Sequence, residues 1–247
     1  MNIIDRRRNL GPDNTIPLKF TTSLLDDEEP TTETTITTDS KIFIELGTIK
    51  NCNGSTTFEN DKTIIITSLY GPRPNFNKTF NNTATLKINL EISQFINIDN
   101  LKLSGNNNTI TNKEKLITFI ESFILTNFQN LIILKNYPKS VIELYVQIIS
   151  LNEKHTLLYI IQQILNSVSI TLLDSKINIK AIATAGYYKS DLNELLINMS
   201  SNDDILSILN NLDDFNEGYK RDLEMCVENS RGFRVELNDY LLNDLTN

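Results

Sequence analysis

The 247-residue chain has one histidine, His155, and two cysteines, Cys52 and Cys226. With so few donors a zinc site of the His/Cys type is close to excluded, and no metal site is expected. The two thiols lie far apart in sequence and read as free, buried cysteines of a reducing compartment. No apolar run approaches about 18 residues, so no membrane-spanning helix and no membrane contact is expected. The start, MNIIDRRRNLGP, carries charge without an apolar segment behind it and does not read as a secretory signal. Positive charge is short as well. Lys and Arg number 23 against 31 Asp and Glu, a net charge of −8, which argues against general affinity for nucleic acid and leaves room for a local basic site. Arginine occurs at 6, 7, 8 and 73, then not again until 221, 231 and 234. Glycine is missing between Gly105 and Gly186.

What remains is 40% hydrophobic and 22% charged, a composition that can build a sizeable core. Residues 22–39 join an acidic run to a threonine-rich tract without apolar periodicity, and a flexible loop is expected there. Order begins at KIFIELGTI, where β-branched and aromatic residues alternate with polar ones. Asn53-Gly54 signals a tight turn in which both residues tolerate positive φ. STTFE returns, Asn60-Asp61 turns again, KTIIITSLY forms a third strand ended by Gly71-Pro72, and TATLKINLEI completes an antiparallel meander of four strands. A helix follows over 114–135, capped by Thr111 or Asn112 and broken at Asn136-Tyr137-Pro138-Lys139. SVIELYVQII is another strand, LNEKHTLLYIIQQILNSVSITLLDS a second buried helix and KAIATAG a short strand. From Asp203 onward an amphipathic helix is expected, with Asp203 as its cap or first-turn acid, then a polar helix at 234–245. Strands in a run, then alternating with long helices, define an α+β chain: a mixed sheet with helices packed on it, in a single domain over 1–247.

The stretch IELGTIKNCNGSTTFENDKTIIITSLYGPRP resembles the opening hairpin and third strand of the RNase PH-like family, where an Asn/Asp-Gly-Ser turn leads into a strand ending Tyr-Gly-Pro-Arg. DRRRNLGP at 5–12, IKNCNGS at 49–55 and YPKSVIELYV at 137–146 are similar to the ring subunits of the fungal and eukaryotic RNA exosome core, of the mRNA-transport-defective type. The resemblance runs from Asp5 to about Gly186 and is patchy beyond. It implies an RNase PH-like fold and a place in a six-membered ring of such proteins, paired with another of them. OB-fold or KH-type cap proteins cover that ring, and single-stranded RNA is threaded through its channel. It also implies roles in rRNA processing and mRNA turnover in nucleus, nucleolus and cytoplasm.

Catalytic relatives attack the 3′-terminal linkage of RNA with phosphate. That chemistry needs an anion pocket of backbone amides at a helix N-terminus, an arginine fork, and a nearby carboxylate. In active members a Gly-Thr-Arg stretch opens the helix after the strand equivalent to SVIELYVQII. Here that place reads SLNEKHTLLYII, without glycine or arginine. Lys154 and His155 remain as cations, but a lysine does not reproduce a bidentate guanidinium. The carboxylates on offer, Asp191 or Asp203-Asp204, read more simply as surface or capping acids. A subunit with no catalytic residues and no cofactor is therefore expected, the alternative being an active phosphate-dependent 3′-to-5′ exoribonuclease using Lys154. The RNA-binding candidates are Arg73 and Lys78, after the third strand in a loop that faces the channel in the family, and Arg6, Arg7 and Arg8 in the N-terminal arm. With no aromatic interleaving beyond Phe76 and Phe80, contact is expected with backbone charge alone.

Overall fold

The structure is a computed structural model that describes residues 42–75, 82–96, 113–152, 154–190, 193–210 and 219–246. All belong to the compact unit Ser40–Asn247. Arg6, Arg7, Arg8, Lys78, the 22–39 segment, the Thr111/Asn112 cap and Asp191 lie outside the described residues.

Eight strands and three α-helices follow in the order β1 (Phe43–Leu46), β2 (Gly54–Asn60), β3 (Thr63–Pro74), β4 (Thr85–Ile92), α1 (Lys113–Gln129), β5 (Ser140–Ser150), α2 (Leu157–Asp174), β6 (Ala183–Lys189), β7 (Glu194–Ser200), β8 (Ile205–Asn210) and α3 (Tyr219–Thr246) among the described residues. They form a mixed five-stranded sheet, order β1-β2-β3-β5-β4, and a three-stranded antiparallel sheet, β6-β7-β8. The expected mixed sheet with packed helices is present. The four-strand meander is not: β4 runs parallel to β5 at the sheet edge, because the chain returns through α1 rather than through a hairpin. α1 stops at Gln129, and a single 3-10 turn at Leu134–Asn136 leads to Pro138.

α1 and α2 lie between the two sheets. One cluster of buried side chains joins Ile65, Leu69, Ile142 and Leu144 of the large sheet to Ile120, Phe128, Ile161 and Leu165 of the helices and to Ala185 and Leu196 of the small sheet. α2 is buried nearly all round for this reason, its polar residues Gln163, Asn166, Ser167, Ser169 and Thr171 included. With mean hydropathy 1.3 over 18 residues it is long and apolar enough to cross a membrane, contrary to the sequence expectation, yet 78% of it is buried within the chain. The helix is accordingly no candidate for an interface with another subunit. α3 covers the outer side of β6 and β7 through Leu223, Cys226 and Val227, and its far end packs Phe233 and Leu237 on Ile44 and Phe58.

Glycine acts here by closeness as much as by conformation. A Cβ on Gly54 would stand 2.5 Å from the Ser175 nitrogen and 2.7 Å from the Thr171 carbonyl oxygen, so β2 can cross the end of α2 only without a side chain. Asn53-Gly54 is thus the entry to β2 rather than a positive-φ turn. The next hairpin turns one residue later than expected, at Asp61 and Lys62 with φ of 44° and 65°, and Asn60 pairs with Thr63.

The region after β6 departs most from the sequence reading. Residues 205–210 form strand β8, not helix, and α3 is continuous from Tyr219 through 234–245. Asp203 (φ 64°) sits in the β7–β8 turn and caps nothing. Its carboxylate lies 3.3 Å from both the Arg231 and Arg234 guanidinium groups of α3, and Arg234 also donates to the Ser200 carbonyl at 3.0 Å.

Candidate functional site

Two places bear on the expected chemistry. The first is the N-terminus of α2, where phosphate-using relatives carry their Gly-Thr-Arg stretch. A cavity of about 220 Å³ opens there, lined by Lys154, His155, Thr156, Tyr159, Tyr187 and Lys189. Thr156 is the N-cap residue, but its hydroxyl meets the Tyr187 hydroxyl at 3.0 Å and makes no capping bond. Burial pushes the Tyr187 phenol up to about 12 from 10.0, with the Glu194 carboxylate adding to the shift, although the Thr156 hydrogen bond acts against it. Tyr187 is therefore a neutral hydroxyl at physiological pH.

Two of the basic groups meet carboxylates. His155 Nε2 lies 2.8 Å from Asp61 Oδ2 at the tip of the β2–β3 hairpin, and the His155 ring packs edge-on against Tyr159 at 4.5 Å. Lys189 meets Glu194 at 3.0 Å. Lys154 is exposed. Asp203 cannot serve this cavity. It stands past Ser200, which pairs with Ala183 at the far end of β6 from Tyr187, and those four residues of β6 alone span about 13 Å at strand rise. Among the described residues no three His, Cys, Asp or Glu side chains come together as a metal set.

The second place surrounds Arg73. The third strand does not stop at Gly71-Pro72. It passes through a cis Gly71–Pro72 bond and an irregularity in pairing, then resumes against β5 with Arg73 opposite Val141. Gly71 holds φ at 125°, and its N–H donates to Asn53 Oδ1 at 2.9 Å. That bond ties the strand end to the β1–β2 connection. Arg73 is exposed, and its guanidinium carbon lies 4.8 Å from the centre of the Tyr70 ring. A cation so placed gains from the ring's quadrupole and is held in one direction.

Strand pairing then sets Ser68 opposite Tyr145, and Tyr70 and Tyr145 meet edge to face at 5.5 Å. Side chains alternate along β3 and β5, so Ser68, Tyr70, Tyr145 and Gln147 share the face turned away from α1 and α2. With Arg73 and Ile49 they line a cavity of about 320 Å³. Sequence reasoning missed the two tyrosines as a site, because they are 75 residues apart and meet only through the β3–β5 pairing.

Residues 40–178 match the 3′ exoribonuclease family, domain 1, and the chain belongs to that family, the RNase PH class. Over 147 residues it is 31% identical to exosome complex component mtr3 of Schizosaccharomyces pombe, a match that covers 59% of this chain and 52% of that protein. The chain thus spans about half the length of the curated relative it matches. Its fold is similar to the crystal structure of rice (Oryza sativa) Rrp46, with TM-score 0.63 at 14% identity over 82% of this chain and 95% of the other. It is also similar to the Archaeoglobus fulgidus exosome with RNA bound to the active site, with TM-score 0.60 at 9% identity over 80% and 88%.

Proposed function

We propose that the chain is a non-catalytic RNase PH-like subunit of an RNA exosome core ring. It would shape the channel through which single-stranded RNA passes to 3′-to-5′ processing and decay, including rRNA processing and mRNA turnover. Its partners would be the neighbouring RNase PH-like subunits, OB-fold or KH-type cap proteins and the RNA. The same reading carries a distribution over nucleus, nucleolus and cytoplasm. The relative in fission yeast, an exosome component by name, supports the assembly.

The observation that carries catalytic silence is the mouth of α2. Two of its three basic side chains, His155 and Lys189, already face the carboxylates of Asp61 and Glu194. An incoming phosphate would meet their negative charge and no arginine fork. One observation favours the alternative of a working phosphorylase: Thr156 does not cap α2, so the positive end of the helix still faces the cavity beside Lys154.

Purified chain, alone and with its ring neighbour, incubated with single-stranded RNA, phosphate and Mg²⁺ separates the two. No phosphate-dependent nucleoside diphosphate is expected; its release would establish the enzyme. Within the ring reading, Arg73 contacts the RNA backbone, helped by Lys78, while Arg6, Arg7 and Arg8 bind RNA or a neighbouring subunit. Arg73→Glu should weaken RNA protection by the assembled complex without dissociating it.

A further inference from the structure

We propose that the cavity between Tyr70, Arg73 and Tyr145 receives one unpaired nucleobase of the RNA. The chain would then hold the strand by base stacking as well as by charge. This rests on the ring-subunit reading and changes what the chain does within it. From the sequence alone, contact with backbone charge was the whole expectation.

The geometry supplies each part that a single nucleotide needs. Tyr145 is 36% exposed on the open face of the sheet, an unusual position for an aromatic residue in the middle of an interior strand. Aromatic surfaces of this kind accept any base, since every base has a π face. Arg73, aligned by the Tyr70 ring at 4.8 Å, puts a permanent positive charge at the rim, where the phosphate of a stacked nucleotide would fall. The Gln147 carboxamide and the Ser68 hydroxyl line the same cavity, and each can both donate and accept. The volume of about 320 Å³ stands at the small end of ligand pockets, suited to one base rather than to a run of them.

Charge on the face limits the contact to one phosphate. Moving from Arg73 toward β4, the next groups are Glu143, 4.0 Å from Lys87, and Glu91, whose carboxylate accepts from Gln147 Nε2 at 3.3 Å. Lys87 offsets the charge of Glu143, while Glu91, bonded only to a neutral amide, opposes a second phosphate on that side. An acidic peptide would meet the same repulsion without gaining from the ring, so RNA is the occupant the face favours.

The test uses the reconstituted ring and fluorescein-labelled single-stranded RNA, with anisotropy read across a salt series. Tyr145→Leu, which keeps apolar bulk and removes the ring, should weaken binding about tenfold with the salt slope unchanged. Tyr145→Phe should stay within about twofold of wild type, since stacking needs no hydroxyl. Arg73→Gln should weaken binding and reduce the salt slope by about one charge. RNA carrying 4-thiouridine should crosslink to Tyr145 in the wild type.

If Arg73→Gln weakens binding while Tyr145→Leu matches wild type and no crosslink forms, the base pocket is overturned and the backbone contact stands. If neither variant weakens binding, RNA contact at this face fails altogether. If Tyr145→Leu releases the subunit from the ring in size-exclusion chromatography, the face belongs to a protein neighbour, and the proposal is overturned in that way.

Discussion

The carboxylate of Asp61 lies 2.8 Å from Nε2 of His155, joining the tip of the β2–β3 hairpin to the start of α2 across 94 residues of sequence. Asn152 reinforces the join by donating to the same Asp61 oxygen at 3.1 Å. Asparagine at position 61 would keep both the turn conformation and an acceptor while removing the charge. Asp61→Asn should therefore cost no more than about 1 kcal/mol in urea unfolding, because the pair is partly solvated. It should also leave the chain without phosphate-dependent RNA cleavage, since the missing arginine is not restored. Nucleoside diphosphate release from this variant would show that Asp61 alone silences the site.

A second clasp is the turn of β7–β8, where Asp203 holds Arg231 and Arg234 at 3.3 Å each. Asp203→Asn separates charge from backbone strain in the same way, because Asn also tolerates positive φ. Stability should fall by about 0.5–1 kcal/mol at low salt and by less at high salt, as exposed pairs do. A loss that does not change with salt would place the role of Asp203 in its backbone rather than its charge.

Gly54→Ala should be far more damaging than either. The added methyl meets backbone atoms of Thr171 and Ser175 at 2.5 to 2.7 Å, and these cannot rotate away. Separating β2 from α2 also disturbs the bond from the Ser55 amide to the Asp174 carboxylate, 2.9 Å long. A loss of about 2–3 kcal/mol or more is expected, read from the midpoint of urea denaturation. A loss under about 0.5 kcal/mol would mean that β2 can move off the helix end at little cost.

Cys226 is fully buried, and its S–H donates to the Leu195 carbonyl at 3.3 Å. Burial first, and the nearby Asp222 carboxylate second, push its thiol up to about 12 from 9.0. The folded chain therefore keeps this proton where the unfolded chain releases it. Stability should fall as pH rises from about 9 toward 12, and the Tyr187 shift has the same sign. Below pH 9 neither group contributes a slope. In native protein a thiol reagent should leave Cys226 unmodified until denaturant is added. Rapid native modification would show that α3 opens readily.

Much of the fold was legible because it is written locally. Alternation in KIFIELGTI and TATLKINLEI and the apolar run in KTIIITSLY marked strands, and the density of apolar residues over 157–174 marked a buried helix. Residues 205–210 were misread because ILSILN fits either period over so short a run. A pairing irregularity between Asn198 and Met199 also disturbs the alternation of partners along the edge strand. β4 was placed in a meander because neighbours in sequence usually pair, and only the α1 crossover sets it beside β5.

The sequence by itself determined the class, through the hairpin leading to Tyr70-Gly71-Pro72-Arg73, and the loss of glycine and arginine where α2 begins. Both are properties of chemical identity at a position, which a string of residues carries without coordinates. Only the tertiary structure decided what stands in those places. Pairing across 75 residues brings Tyr145 to Tyr70 and Arg73, and folding of the β2–β3 hairpin carries Asp61 to His155. Registers and close approaches of this kind are fixed by how whole elements share one core, and no local pattern records them.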